Sequence, residues 1–270
     1  MSAAPDPLTI ILLTCVFLVL SEILRALSAG TLLCPPQPRR RIEFDGALFG
    51  AATFFILFNV IPVLVQRFLL RSESAAEKPV PTSLQIELNV VFNFLMIAAL
   101  VAFIVARRKN RLADYGIDVH GWLAEMRYGG LAFLACLPFV IAITVLISRW
   151  RSPDTQNSLL ILLRQTGSER TVREVVLAAA VSAPLAEEML FRVAFQGSLE
   201  ARLPLAWAIG IPAVVFAGVH GPYDALPLLP LAVALGCVYH FRRSYVAVVT
   251  THALFNATFL ILALAQKGGG

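Results

Sequence analysis

Long apolar stretches, separated by charged residues or by proline and glycine, constrain this chain of 270 residues more than any other feature. A stretch of roughly 20 apolar residues is long enough to cross a lipid bilayer as one helix. Of the residues, 14% are charged, whereas soluble domains carry about 25%. We therefore predict an all-α, polytopic transmembrane helix bundle with about eight spans. The predicted spans cover residues 8–28, 47–70, 84–106, 129–148, 172–199, 204–220, 225–240 and 245–265.

The charged residues and the cysteines narrow the class of protein further. Arginines cluster between the apolar stretches, a pattern that orients helices in a membrane and does not indicate nucleic-acid binding. The first apolar stretch is long enough to remain as a span, so we expect no cleaved signal peptide. The four cysteines form no CxxC or Cys/His pattern, which disfavours a disulfide framework or a cysteine-ligated zinc ion. The apolar stretches predict a multi-pass membrane protein. The strong preference for arginine over lysine is typical of a GC-rich genome, and we expect the membrane to be that of a prokaryotic cell.

Three charged residues interrupt the apolar segment from Ser182 to Arg192. A charge at the centre of a membrane helix costs roughly 2.5–3.5 kcal/mol, so such residues are normally paired or functional. Glu188 and Arg192 stand at i and i+4 with the acid first, which is the favourable order for an ion pair. Glu187 points about 100° away from Glu188 around the helix axis and does not share that partner directly. It is either a second structural acid or a residue with a chemical role.

Two histidine motifs follow the acidic segment. His220 ends the sixth apolar stretch, and His252 and Asn256 lie on one face of the eighth at i and i+4. Taken singly, His220 could cap a helix end, and the other two residues could form a packing hydrogen bond between helices. Together with Glu187, they would bring a carboxylate, two imidazoles and a carboxamide into one polar cavity within the membrane.

This set of groups suits hydrolysis by direct attack of water. A carboxylate and an imidazole can hold and deprotonate a water molecule, while a second imidazole and an amide can donate to the oxyanion of a tetrahedral intermediate. The chain has no GxSxG motif, and Ser182 lies at least a full turn from Glu187 on the same helix. An acyl-enzyme mechanism therefore fits the sequence less well.

The other polar residues of interest receive no catalytic role. We interpret three asparagines of the second and third stretches as packing residues or cavity lining, and two further histidines as interfacial or loop residues. These residues are Asn59, Asn89, Asn93, His120 and His240. Residues 158–164 are predicted to form a short helix that lies on the membrane surface.

The order of the three motifs resembles the CPBP family of intramembrane proteases. That family includes the CAAX prenyl endopeptidases of the Rce1 type and bacteriocin-processing or immunity proteins. The motifs are EExxxR, FxxxH and HxxxN, formed by Glu187, Glu188, Arg192, Phe216, His220, His252 and Asn256. The resemblance covers about residues 156–262. We therefore divide the chain into N-terminal transmembrane helices without an assigned role at 1–150, a protease core at 151–267, and a flexible tail or cloning remnant at 268–270.

The resemblance implies a catalytic role for four residues. Glu187 would be the general base that activates water, and His220 would help to hold that water. An oxyanion hole would be formed by His252 and Asn256. No metal and no other cofactor is expected, and the chain has no HExxH motif.

The same resemblance makes Glu188 and Arg192 a structural ion pair. Removing either partner should leave an uncompensated buried charge, so these substitutions should impair folding while the folded fraction keeps residual activity. Substitution of Glu187 by glutamine should instead leave folding intact and abolish hydrolysis.

The expected function is that of an intramembrane endopeptidase acting on a protein or peptide near the membrane. The expected substrate is either a CAAX-type C-terminal tail or a bacterial peptide or sorting signal, and a lipid modification and a transmembrane tail are open alternatives for it. Partners would be this substrate and the lipid bilayer, with no nucleic acid. Two other classes stay open, namely a non-catalytic immunity or scaffold protein and a transporter with a buried Glu/His proton relay.

Overall fold

The structure is a computed structural model that describes residues 42–68, 80–148 and 157–267, with Thr14, Phe17, Leu18, Ser21, Glu22 and Arg25. The predicted span at 8–28 and the predicted tail at 268–270 lie largely or wholly outside these residues. Every regular element in the described residues is helical. The predicted all-α class is therefore confirmed.

The helices are numbered α1 to α8 in chain order. The first four are α1 Gly46–Phe68, α2 Ser83–Arg107, α3 Trp122–Ser148 and α4 Ser158–Gln165. Helix α5 comprises residues 169–200, and it is followed by α6 Leu205–Val219, α7 Pro222–Arg242 and α8 Tyr245–Lys267. The short helix predicted at 158–164 is present as α4.

Helix α5 changes its hydrogen-bond register four times. Its α-helical segments are Glu169–Val176, Ala183–Glu188 and Gly197–Glu200, and its π-helical segments are Leu177–Ser182 and Met189–Gln196. A π segment widens the helix by one residue per turn and leaves backbone groups for other partners, which is why such segments are frequent at functional sites. The two glutamates end the central α-helical segment, between the two π segments.

Four helices in the described part of the chain are long and apolar enough to cross a membrane. These spans are Ser83–Arg107, Trp122–Ile147, Tyr223–Arg242 and Tyr245–Ala265. Two shorter apolar helices are Gly46–Asn59 and Leu205–Val219. The chain is thus a membrane protein, while the count of about eight spans stays a prediction.

Helix α6 is too short to cross a bilayer unaided. Its 15 residues extend about 22 Å, against about 30 Å for the hydrocarbon core. The chain then reverses through His220 and Gly221, whose φ of 90° is readily adopted by glycine. Pro222 begins α7, where its missing N–H costs no helical hydrogen bond. The turn that ends α6 places His220 beside Glu187, with 3.9 Å between His220 Nε2 and Glu187 Oε2.

Helix α5 is the centre of the bundle. All residues from Met189 to Leu199 are buried, and they pack against α1, α6, α7 and α8. A second cluster joins α4 to the first half of α5 and the far end of α8. Its fully buried members include Leu163 and Val175. The two clusters fix α8 beside α5 along most of its length.

The loop between α2 and α3 holds the turn that precedes α8. Tyr239 Oη donates to Tyr115 O at 2.9 Å, and Tyr245 N donates to Gly116 O at 2.9 Å. Gly116 has a φ of 77°, and a Cβ at this position would lie 2.1 Å from Arg243 O. This loop therefore needs glycine to approach the turn, and it fixes where α8 begins.

Gly129 lets α3 approach α8 closely. A Cβ on Gly129 would lie 2.4 Å from Ala247 O and 2.9 Å from Thr250 Cβ. The contact is reinforced by Thr251 Oγ1, which donates to Gly129 O at 2.9 Å. Small residues at such crossings are the usual means by which membrane helices pack. Since α8 carries His252 one residue after Thr251, this crossing also sets the position of the histidine.

We predict that Gly129→Ala destabilises the protein and that Gly130→Ala does not. The added methyl group of the first variant must displace backbone atoms of α8, which costs about 1–3 kcal/mol. At Gly130 the nearest atom to a Cβ is Leu254 Cδ1 at 4.0 Å, and alanine gains up to about 1 kcal/mol in a helix. Thermal unfolding of both variants in detergent measures the difference. Equal stability of the two variants would contradict the described helix crossing.

Candidate active site

The two adjacent glutamates of α5 lie in different environments. Consecutive helical residues point about 100° apart, and here Glu188 is directed into the protein with its side chain 0% exposed. The Glu187 side chain is 30% exposed and lines a cavity. The register of α5 thus separates a buried acid from an accessible one.

Glu188 joins two other side chains in the interior. Its Oε2 accepts from Arg192 Nε at 3.1 Å, and its Oε1 lies 2.8 Å from His252 Nδ1. The arginine is also 0% exposed, so both charges of this pair are removed from solvent. The i, i+4 spacing indicated the contact with the arginine, whereas the contact with the histidine was not predicted. Glu188 is therefore more than a structural partner of Arg192, because it also holds the ring of His252.

The hydrogen bond with Glu188 determines how His252 is presented. A carboxylate paired with arginine accepts hydrogen bonds, so the proton of this contact belongs to Nδ1 of the ring. The other nitrogen, Nε2, then faces Glu187, with 3.9 Å between it and Glu187 Oε2. In the neutral ring Nε2 carries a lone pair, and it becomes a donor when the ring is protonated.

His220 is presented in the same way from a different helix. Its Nδ1 lies 2.7 Å from Phe216 O, the carbonyl one turn earlier in α6. A carbonyl can only accept, so Nδ1 carries the proton and Nε2 is left for the cavity. His220 Nε2 lies 3.9 Å from Glu187 Oε2. Glu187 therefore faces the Nε2 atoms of two imidazoles that are each fixed through Nδ1.

Phe216 separates and supports the two imidazoles. Its side chain is fully buried, and its ring centroid lies 4.9 Å from that of His220 and 5.6 Å from that of His252. The Arg192 guanidinium carbon lies 5.3 Å from the same ring centroid. The sequence motif contained this phenylalanine without giving it a role. In the structure it is the packing surface that keeps both rings beside Glu187.

The distances from Glu187 Oε2 to the two imidazole rings are those of a contact that is bridged by water. A separation of 3.9 Å to each imidazole exceeds the ordinary range for a direct hydrogen bond, about 2.7–3.2 Å. Polar atoms held at such a distance are commonly bridged by water. This Oε2 atom is shielded from solvent and has no hydrogen bond to any of the described residues. The three groups can thus hold a small polar molecule between them.

Asn256 lies one turn after His252 and makes a bond to the backbone of α5. Its Nδ2 donates to Ala179 O at 2.7 Å, and its side chain lines the same cavity. Because one N–H is used in this way, the planar carboxamide is held at a defined angle. Its second N–H is the donor that remains for a ligand.

The cavity has a volume of about 600 Å³. The four residues predicted to be catalytic, Glu187, His220, His252 and Asn256, all line it. Its other walls are largely apolar and come from α3, α4, α6, α7 and α8. These apolar lining residues include Val140, Leu159, Leu160, Phe216, Pro227, Leu228, Phe255, Phe259 and Leu260. Both the size and the mixture of apolar walls with few polar groups are typical of ligand-binding cavities.

Of the remaining predicted polar residues, Asn89 lines this cavity, whereas Asn59, Asn93, His120 and His240 do not. Asn93 is buried and donates to Ser182 Oγ at 3.2 Å. His240 Nδ1 contacts Glu200 Oε1 at 3.3 Å, and the side chain of His120 is 93% exposed. No cluster of three or more His, Cys, Asp or Glu side chains in the described ranges has a metal-binding geometry. The absence of a metal and of other cofactors stays a prediction.

The part of the chain that holds this site is similar to a known protein family. Residues 171–258 match the family described as type II CAAX prenyl endopeptidase Rce1-like. The UPF0177 protein YaiF of Lactococcus lactis subsp. lactis (strain IL1403) is 31% identical over 87 residues, or 32% of this chain. The chain spans 38% of the length of that relative. No solved structure gives a significant match.

We predict that Glu188→Gln destabilises the protein strongly and that Glu187→Gln has little effect on stability. A glutamine at 188 would turn one of its amide N–H groups toward either Arg192 or the Nδ1 proton of His252, so two donors would face each other in the interior. Breaking a buried ion pair costs about 3–5 kcal/mol. Glu187 faces the cavity, and glutamine keeps its volume. Membrane yield and thermal unfolding of both variants measure the difference, and equal stability would contradict the distinct environments.

Proposed function

We propose that the chain is an intramembrane endopeptidase that uses water activated by Glu187, on the premise that residues 171–258 match the family described as type II CAAX prenyl endopeptidase Rce1-like. The observation that carries the proposal is the position of Glu187 Oε2, 3.9 Å from the Nε2 atoms of both His220 and His252. A water molecule between Glu187 and His220 can donate one hydrogen bond to each of them and lose a proton to the carboxylate.

The first chemical step is attack of this water on the scissile carbonyl carbon. As the new C–O bond forms, one proton of the water passes to the Glu187 carboxylate and the carbonyl oxygen becomes an oxyanion. His220 fixes the direction of attack, because its Nε2 lone pair accepts the second hydrogen of the water. This hydrogen bond depends on Phe216 O, which holds the proton of the ring on Nδ1.

The oxyanion is stabilised by donors from α8. Asn256 donates through the amide N–H that is not bonded to Ala179 O. His252 can donate through Nε2 when its ring is protonated, and Glu188 stabilises that imidazolium through Nδ1. Glu188 is in this way a positioning residue for catalysis as well as a partner of Arg192.

The second step breaks the C–N bond of the tetrahedral intermediate. Glu187, now protonated, gives its proton to the leaving nitrogen as the C–N bond breaks. The hydroxyl proton of the new carboxylic acid then passes to the amine, so the two products are a carboxylate and an ammonium group. The carboxylate of Glu187 is restored without a covalent enzyme intermediate. This cycle consumes one water molecule per peptide bond. Apart from that water and the substrate, it uses only side chains of this protein.

The cavity suits a short extended segment of a protein or peptide. Its apolar walls can accept side chains or a lipid-modified residue next to the scissile bond, while the polar groups gather at Glu187. The family acts on protein or peptide substrates at the membrane. We propose a substrate of this class with apolar residues at the cleavage site, either at a C-terminal tail or in a membrane-inserted signal.

We predict that Glu187→Gln abolishes peptide hydrolysis by the purified protein. Loss of a general base lowers kcat by roughly 10²–10⁴-fold. Glu169→Gln is the matched control, because it makes the same change at an exposed position at the start of α5. Cleavage of a set of prenylated and unmodified apolar peptides in detergent, followed by mass spectrometry, gives the rates. Full activity of Glu187→Gln would exclude this mechanism, and substrate-dependent proton flux without cleavage would favour a transporter.

We also predict that hydrolysis survives metal chelators. Zinc bound by nitrogen and oxygen ligands at about 2.0–2.1 Å in a tetrahedral site brings those ligands within roughly 3.4 Å of each other. The separations of 3.9 Å at Glu187 are wider than that. Activity should be unchanged after treatment with a chelator and removal of free metal. Loss of activity that zinc alone restores would make the two histidines metal ligands.

A further inference from the structure

The carbonyl of Ala179 lacks a donor from the backbone of its own helix. In an α-helix it would accept from the N–H of residue 183, four positions later. Here Ala183 N donates to Ala178 O, because residues 177–182 are π-helical. In that π register the donor for Ala179 O would be residue 184, five positions later.

Residue 184 is a proline, which has no N–H. Neither the α nor the π register can therefore supply a backbone donor to Ala179 O. A carbonyl left unpaired in an apolar interior is costly, so another polar group is needed to bond it. The structure supplies that group from α8, where Asn256 Nδ2 donates to Ala179 O at 2.7 Å.

The π register around Ala179 is held by side chains on its other face. Ser182 Oγ donates to Ala178 O at 3.1 Å, and Asn93 Nδ2 of α2 donates to that hydroxyl oxygen at 3.2 Å. Ala178 O thus accepts from both Ser182 and Ala183. These contacts disfavour the α-helical hydrogen bond from Ala183 N to Ala179 O. Ala179 O therefore remains available to Asn256.

We propose that Pro184 is a positioning residue for Asn256. It keeps Ala179 O free of backbone donors, so that this carbonyl can bind one N–H of the Asn256 carboxamide. The second N–H of the same carboxamide is then directed to the reacting oxyanion. The inference rests on the proposed function, since it gives Asn256 the role of oxyanion donor. It assigns Pro184, three residues before Glu187, a part in catalysis without contact with the substrate.

A double-substitution cycle on stability tests the physical coupling without any assay of activity. The variants are Pro184→Ala, Asn256→Ala and the double variant, with Pro230→Ala inside α7 as a control for loss of a helix proline. In the otherwise native protein, Asn256→Ala leaves Ala179 O unpaired and should lower the unfolding midpoint by roughly 2–4 °C. With alanine at 184, the new N–H bonds that carbonyl, and Asn256→Ala should cause a much smaller shift. Equal shifts in both backgrounds would overturn the proposal.

The same variants test the positioning role when peptide hydrolysis is measured. Removal of an oxyanion donor lowers kcat by roughly 10²–10³-fold, and a displaced donor costs about 10–10²-fold. Pro184→Ala should therefore lower kcat at nearly unchanged KM, although the protein is at least as stable. Pro184→Ala should have no further effect on kcat once Asn256 is alanine, and Pro230→Ala should leave kcat unchanged. Asn256→Asp, which keeps the volume, replaces Asn256→Ala if that variant fails to fold.

The outcomes separate this inference from the proposed function. A fully active Asn256→Ala would remove the oxyanion role and with it both proposals for this residue. A slow Asn256→Ala combined with a fully active Pro184→Ala, or with multiplicative losses in the double variant, would overturn the positioning role alone. Coupled stabilities and a non-multiplicative loss of kcat would support it.

Discussion

The buried carboxylate of Glu188 is the contact on which the geometry of the site depends. Two charges, those of Glu188 and Arg192, lie in the interior with 0% exposure, and each is tolerable there because the other is adjacent. The second oxygen of the carboxylate holds His252 on α8, while the guanidinium lies over the ring of Phe216 on α6. One ion pair thus connects the three helices that surround Glu187, and it orients a ring without itself lining the cavity.

Irregular backbone in α5 is the second constraint on the site. In an apolar environment, carbonyls left over by the π segments need donors, because neither lipid nor bulk water can supply them. Asn256 of α8 takes this role for Ala179 O. Tyr245 Oη, also of α8, donates at 2.6 Å to Leu185 O, a carbonyl that accepts from Met189 N as well. Both bonds tie α8 to the part of α5 that precedes the glutamates, which rigidifies the walls of the cavity.

The helical class could be predicted from the length of the apolar stretches. The residues around the cavity could be predicted from the charged and polar residues within these stretches and from their i, i+4 spacing. The contact between Glu188 and His252 was not predicted, because spacing within one helix contains no information on how α8 is rotated against α5. Nor was the bond of Asn256 to Ala179, which depends on a π register. Pro184 inside a predicted helix was a local signal of that irregularity. The packing role of Phe216 likewise required the relative positions of α5, α6 and α8.

The central claim is that Glu187 activates water and does not attack the substrate itself. A single turnover in ¹⁸O-labelled water, with the protein in excess over a peptide substrate, tests it directly by mass spectrometry of product and protein. Activation of water predicts one ¹⁸O atom in the new carboxylate of every product molecule and none in Glu187. An unlabelled product of the first turnover, together with ¹⁸O in the Glu187 side chain, would show a covalent intermediate and contradict the account.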